Sequence, residues 1–244
     1  MKKTLLSIAI AMAAGFMFVA CTSGNKEEAG NPDKDVLYQV SFLKSLMDGN
    51  YDGTMTMEEL LKHGNFGMGT FDRANGEMLI LDGKVYQARW DGKMAEAELT
   101  ATTPFANITY FEPDSKFSVQ RSYSMGTLTD GISAHLENPN YFYAVKVHGM
   151  FDQILVRSEL PQDKPYKPLV EIMKTDERQF FYTKISGTLI GLYCPNHIGF
   201  LNAAGWHLHF ISDDKTVGGH VLKLRAVDNL ECEIDETRDL FFHN

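Results

Sequence analysis

The sequence predicts an α+β protein with two subdomains on mixed or antiparallel β-sheets, the C-terminal one barrel-like. Three observations carry this expectation. Short runs rich in Val, Ile, Tyr and Phe recur along the chain, bounded by Gly, Asp, Asn and Pro, the mark of strands joined by turns. Asp82-Gly83 and Asp91-Gly92 each follow an apolar run, and Asp-Gly between two such runs is a strong hairpin signal. Helical spacing is confined to a few short stretches.

Taken in order, Val36, Leu37, Val40, Leu43, Leu46 and Met47 recur at helical spacing and predict a helix over residues 36–47, stopped by Asp48-Gly49-Asn50. Thr56 precedes Met57-Glu58-Glu59-Leu60-Leu61, which predicts a short helix capped by Thr56 with Glu59 at its third position. The chain then turns glycine-rich. Residues 77–81, the turn Asp82-Gly83 and residues 84–90 predict a hairpin. Strands are expected over 105–111, 141–148 and 154–156, with a partly helical stretch between 118 and 136. Pro161, Pro165 and Pro168 mark a connection, and residues 169–173 predict a short helix. The rest reads as strands at 187–193, 205–211, 220–224 and 230–234. The expected organisation is an α/β subdomain over 36–160 and a β-rich, metal-binding one over 161–244.

Composition narrows the function. The 244 residues carry a net charge of -9, and no Lys/Arg cluster follows the first few residues, which argues against nucleic acid as a partner. Residues 1–20 predict a secretory signal: Lys2 and Lys3 make a positive start, and an apolar stretch runs to Ala20. Phe18-Val19-Ala20-Cys21 resembles the bacterial lipobox, with Phe where Leu is usual. The chain is therefore expected to be exported as a bacterial membrane lipoprotein. It would touch the membrane only through a lipid on Cys21, with residues 21–35 as a flexible tether. Cys194 and Cys232 lack the close spacing of a redox or zinc-thiolate motif, so buried free thiols are expected.

The sharpest chemical signal is His207-Leu208-His209 followed by His220. Residues two apart on a strand share a face, so His207 and His209 can aim at one point, and a hairpin return could add His220. Three imidazoles with an open fourth position suit a catalytic divalent metal; the alternative is ordinary packed histidines. Glu77 at the start of an apolar strand and Arg157 at the end of one are, on position alone, better read as surface charges.

Ordered segments nevertheless resemble the acetolactate decarboxylase family. Among them are Leu60-Leu61-Lys62-His63-Gly64-Asn65-Phe66-Gly67, Gly69-Thr70-Phe71, Gly76-Glu77, Leu81-Asp82-Gly83-Lys84 and Thr103-Pro104-Phe105. Gly187-Thr188-Leu189-Ile190-Gly191, Gly205-Trp206-His207-Leu208-His209-Phe210 and Gly218-Gly219-His220-Val221 follow. The resemblance implies a homodimer with a two-domain α and β fold that converts 2-acetolactate to acetoin and CO2. It puts zinc, or another divalent first-row metal, on His207, His209 and His220. It makes Glu77 and Arg157 catalytic, with Thr70 and Arg157 binding substrate. Family members can carry a C-terminal tail whose glutamate reaches the active site. Glu231, Glu233 and Glu236 lie too near the strand of Cys232 to take that role, so a substitute group or a more open pocket is expected. Two rival readings stand: a cupin-type metal-dependent dioxygenase or isomerase, and a non-catalytic exported binding lipoprotein with Trp90 and Trp206 marking its ligand surface.

Overall fold

Strands dominate the structure, a computed structural model that describes residues 34–244. In chain order they are β1 (Val36–Val40), β2 (Met55–Thr56), β3 (Phe66–Thr70), β4 (Glu77–Leu81), β5 (Lys84–Ala88), β6 (Met94–Glu96), β7 (Thr102–Thr103) and β8 (Phe105–Thr109). There follow β9 (Ser115–Val119), β10 (Phe142–Glu159), β11 (Glu177–Cys194), β12 (Gly205–Ser212), β13 (Gly218–Arg225), β14 (Leu230–Thr237) and β15 (Asp239–His243). The helices are short: α1 (Leu43–Met47), α2 (Met57–Leu60), α3 (Met125–Ser133) and α4 (Leu169–Thr175). The balance is thus mostly β. Among the described residues no helix is long and apolar enough to cross a membrane. Cys21, the signal reading and nearly all of the tether reading lie outside the described residues.

One sheet has the strand order β15-β1-β8-β3-β4-β5-β6, a second β11-β12-β13-β10-β14-β9, and β2 pairs with β7. Only β1–β15 among these pairings is parallel. Because β10 also pairs with β11, the strands β10, β11, β12 and β13 are hydrogen-bonded in a closed circuit.

Alternation along β4 explains how the layers stack. Leu79 and Leu81 pack with Phe142, Ala144, Ile190, Leu192 and Ile211 of the second sheet. Met78 and Ile80 face the other way, toward Val40, Leu60 and Ile108. With both faces covered, the strand reads as an unbroken apolar run. The second sheet buries its other face, including Val147, Phe151, Leu208 and Phe210, beneath Leu128 and Ile132 of α3. Phe210 is fully buried and meets Phe151 edge-on at 5.4 Å. Phe210→Ala is expected to cost about 3–5 kcal/mol through lost burial and a residual cavity. Urea unfolding checks this, and a loss below about 1 kcal/mol would mean the site collapses freely.

Local signals hold where the turn or cap chemistry is explicit. Asp82 and Gly83 take φ of 51° and 75° between β4 and β5, the two left-handed positions of a tight hairpin turn. Thr56 caps α2 by accepting from the Glu59 backbone N–H at 3.2 Å. Cys194 and Cys232 are buried and free.

Other expectations need correcting. The helix expected over 36–47 is a strand followed by one helical turn, broken at Ser41, whose φ is 60°. Strand β1 is bonded on both edges, to β15 and β8, and its last four residues are buried, so it shows no polar alternation. The separate strands expected at 141–148 and 154–156 are one strand of 18 residues, paired to β11 along its length. Of the partly helical stretch expected between 118 and 136, α3 supplies the helix over Met125–Ser133, while Ser118 and Val119 belong to strand β9.

Candidate active site

The hairpin of β12 and β13 presents the histidines. On β12, Trp206, Leu208 and Phe210 turn to the core under α3, so His207 and His209 face the first sheet. His220 stands directly opposite His209 in the β12–β13 register. Gly219 permits this crossing. Its φ is 143°, and a Cβ there would come within 2.4 Å of the Arg157 carbonyl oxygen. Gly219→Ala is expected to cost about 1–3 kcal/mol through backbone strain and to weaken metal binding by displacing His220. A metal titration beside a denaturation curve tests it, and unchanged affinity would free His220 from that dependence.

The three rings converge. His207 Nε2 lies 2.8 Å from His220 Nδ1 and 3.2 Å from His209 Nε2. Burial above all, with the charge of Arg157, holds all three below the ordinary value of 6.5, His207 at about 4, and neighbouring imidazoles lower His209 and His220 further. The rings are therefore neutral near pH 7. His209 Nδ1–H donates to the Met78 carbonyl at 2.9 Å, which leaves its Nε2 lone pair for another partner.

This donor set fits a divalent first-row ion. Such an ion takes imidazole nitrogens at about 2.0–2.1 Å, which in a tetrahedron puts them roughly 3.3 Å apart. One candidate ligand atom per histidine lies within 4.8 Å of the others.

Strand β4 supplies the facing wall. Glu77 is buried with Oε2 3.4 Å from His209 Nε2. Glu159 lines the same cavity, and its charge acts on Glu77. Burial first, and then the Glu159 charge, push Glu77 well above the usual carboxylate range, against the pull of Arg157. Arg157 donates through Nη1 to Glu177 Oε2 at 3.1 Å. Its Nε lies 3.5 Å from Glu159 Oε1, off hydrogen-bond geometry, and is buried without an acceptor. Thr70 donates its hydroxyl to the Gly76 carbonyl at 2.8 Å, so it can only accept from a ligand.

These groups line one cavity of about 300 Å³. Thr70, Glu77, Arg157, Glu159, His207 and His220 give it polar character; Leu46, Met47, Phe105, Leu169, Met173 and Trp206 form an apolar wall. The candidate residues read from the sequence thus come together, apart from Cys21.

A family model for alpha-acetolactate decarboxylase matches residues 37–244. The chain belongs to the alpha-acetolactate decarboxylase family. It is 43% identical over 197 residues to the alpha-acetolactate decarboxylase of Methanosarcina mazei, covering 81% of this chain and 68% of that one. The Brevibacillus brevis alpha-acetolactate decarboxylase is 41% identical over 207 residues, 84% and 72% of the two chains. The crystal structure of alpha-acetolactate decarboxylase from Bacillus subtilis strain 168 superposes with a TM-score of 0.82 at 32% identity. That match covers 85% of this chain and 88% of the other. Membership makes the protein a carboxy-lyase.

In this member of the alpha-acetolactate decarboxylase family, two further acids at the site carry no signal of their own in the sequence. Glu159 follows Arg157 by two residues on one strand face, and Glu177 stands opposite Glu159 in the β10–β11 register. The sequence pattern ends the strand near Val156, which leaves the alternation Arg157-x-Glu159 outside it.

Proposed function

We propose that this chain decarboxylates 2-acetolactate to acetoin and CO2, using a divalent metal, zinc by family resemblance, held by His207, His209 and His220. One observation carries the proposal: three neutral imidazoles converge across a single cavity from a buried acid, Glu77, and an arginine. Nitrogen-only ligation with carboxyl groups nearby also accommodates other first-row ions.

When bound, the metal would supply Lewis acidity toward the ketone and hydroxyl oxygens of the substrate. The chain's own groups do the rest. Arg157 binds the substrate carboxylate, its buried Nε and guanidinium edge being suited to an anion. Thr70 accepts a hydrogen bond from the substrate hydroxyl. The bond to the carboxylate carbon breaks, CO2 leaves, and the electron pair passes into an enediolate. Glu77 delivers a proton to the carbon that lost CO2, which completes acetoin and leaves Glu77 ionised. The apolar wall of Leu46, Phe105 and Met173 keeps competing water from that carbon.

The same proposal takes the β10–β13 circuit as a barrel-like frame for the histidines and the protein as a homodimer. It also keeps export with lipid on Cys21, supported by the composition of residues 1–21. The deciding experiment is acetoin release from racemic 2-acetolactate by the chain from residue 22, before and after chelation and zinc return. Activity lost with chelator and restored by zinc is expected. Metal bound at full occupancy without acetoin would overturn the assigned reaction.

A further inference from the structure

One side of the Arg157 guanidinium is already taken. Nη1 donates to Glu177 Oε2 at 3.1 Å and, more weakly, to Met173 Sδ at 3.7 Å. A guanidinium is planar and rigid, so holding one nitrogen sets the direction of the others. The edge formed by Nε and Nη2 is left over, and its Nε is buried without an acceptor. Such an edge has the spacing for the two oxygens of a carboxylate.

Glu177 is itself held on both oxygens. Its Oε1 accepts from Gln179 Nε2 at 2.5 Å, and Gln179 is the cross-strand partner of Arg157. Arg157 and Met173 line the cavity, whereas Glu177 lies outside its wall. Folding alone gives little reason for this acid. It faces Glu159 directly across β10–β11, and like charges so paired weaken a sheet. Glu159 also stands beside the arginine, yet its Oε1 is 3.5 Å from Nε and off hydrogen-bond geometry. The bond that orients the guanidinium is therefore the one to Glu177.

We infer that Glu177 is a positioning residue for Arg157, which by holding Nη1 turns the Nε–Nη2 edge toward the cavity, where the carboxylate of the substrate binds. Glu177 does not itself meet the substrate. What it contributes is reach rather than charge, because a negative group behind the arginine by itself opposes the binding of an anion. Its effect on substrate binding rests on the decarboxylase reading; its effect on the guanidinium does not.

Two conservative variants separate reach from charge. Glu177→Asp keeps the charge and withdraws it by one methylene, whereas Glu177→Gln keeps an acceptor oxygen at the same reach. Glu177→Asp is expected to raise KM for 2-acetolactate by about 10-fold or more, the scale of a lost hydrogen bond to a charged group. Its kcat should stay within about 3-fold, because a contact to a departing carboxylate is made at least as firmly before the transition state as in it. Glu177→Gln should keep both parameters within about 3-fold, and neither variant should lose metal, since no histidine is touched. A Gln variant that loses as much as the Asp variant, or an Asp variant with wild-type KM, would overturn the inference. A crystal structure of Glu177→Asp supplies a test independent of turnover: Arg157 Nη1 should leave its place 3.7 Å from Met173 Sδ, and an arginine that stays there overturns the inference. A wild-type chain that makes no acetoin removes the decarboxylase reading alone, and the crystal structure then decides the positioning role by itself.

Discussion

Replacing His209 by alanine is expected to remove metal binding and acetoin production together. His209 is fully buried and locked by its bond to the Met78 carbonyl, so its Nε2 is presented with almost no rotational freedom left to lose. Removing one of three donors should weaken metal affinity by about 100-fold or more, beyond the 10–100-fold typical of losing an outer partner. His207 and His220 would remain beside Arg157 with no third nitrogen. Metal content per chain and acetoin yield, measured on the same preparation, decide it. A His209→Ala chain holding one metal per chain at wild-type turnover would show that the convergence of the rings is packing and not ligation.

Glu77→Gln should have the second-largest effect, with opposite signs on activity and stability. As the proton donor, Glu77 is worth a factor of about 10²–10⁴ in kcat, with metal content unchanged. A group raised far above its ordinary 4.5 is protonated below its folded pKa. Wild-type turnover should therefore hold on the acidic side of that pKa and fall as pH rises through it. Stability follows the same linkage. Between 4.5 and the raised value the folded chain retains a proton that the unfolded chain has released, so this group's contribution declines as pH rises. A glutamine carries no such proton, and Glu77→Gln should gain stability relative to wild type with rising pH. Melting curves at several pH values test this; a parallel pH dependence in both proteins would mean that Glu77 is not the buried acid described.

The legibility of this chain followed the kind of information each residue carries. The histidines were readable because a strand repeats every second residue and a hairpin brings its return directly opposite, and His209 does face His220. The β4–β5 turn was readable because Asp82-Gly83 has the backbone freedom that it needs. Strand β1 was not, because burial on both faces erased its alternation and left a pattern compatible with a helix. The outer half of β10 was not, because Gly149, Asp152 and Gln153 look like a turn, yet they lie in a long ribbon with β11. Glu77 and Arg157 carried no signal of their own. Their meaning depends on Glu159 and Glu177, and a charge cluster assembled from three strands leaves no local trace in a sequence.

The bond between His209 and Met78 joins residues 131 positions apart, and it ties the histidine hairpin to the strand that bears Glu77. Such distant contacts are slow to form. During synthesis the N-terminal strands must wait for His220 to clear the ribosome before the centre can exist, and until the second sheet forms the face of β4 that carries Leu79 and Leu81 is uncovered. Ion capture would come at the end of folding, as its seal. A cell starved of the ion should accordingly accumulate the protein in a form that proteases clear, well before any loss of catalysis per intact molecule is seen.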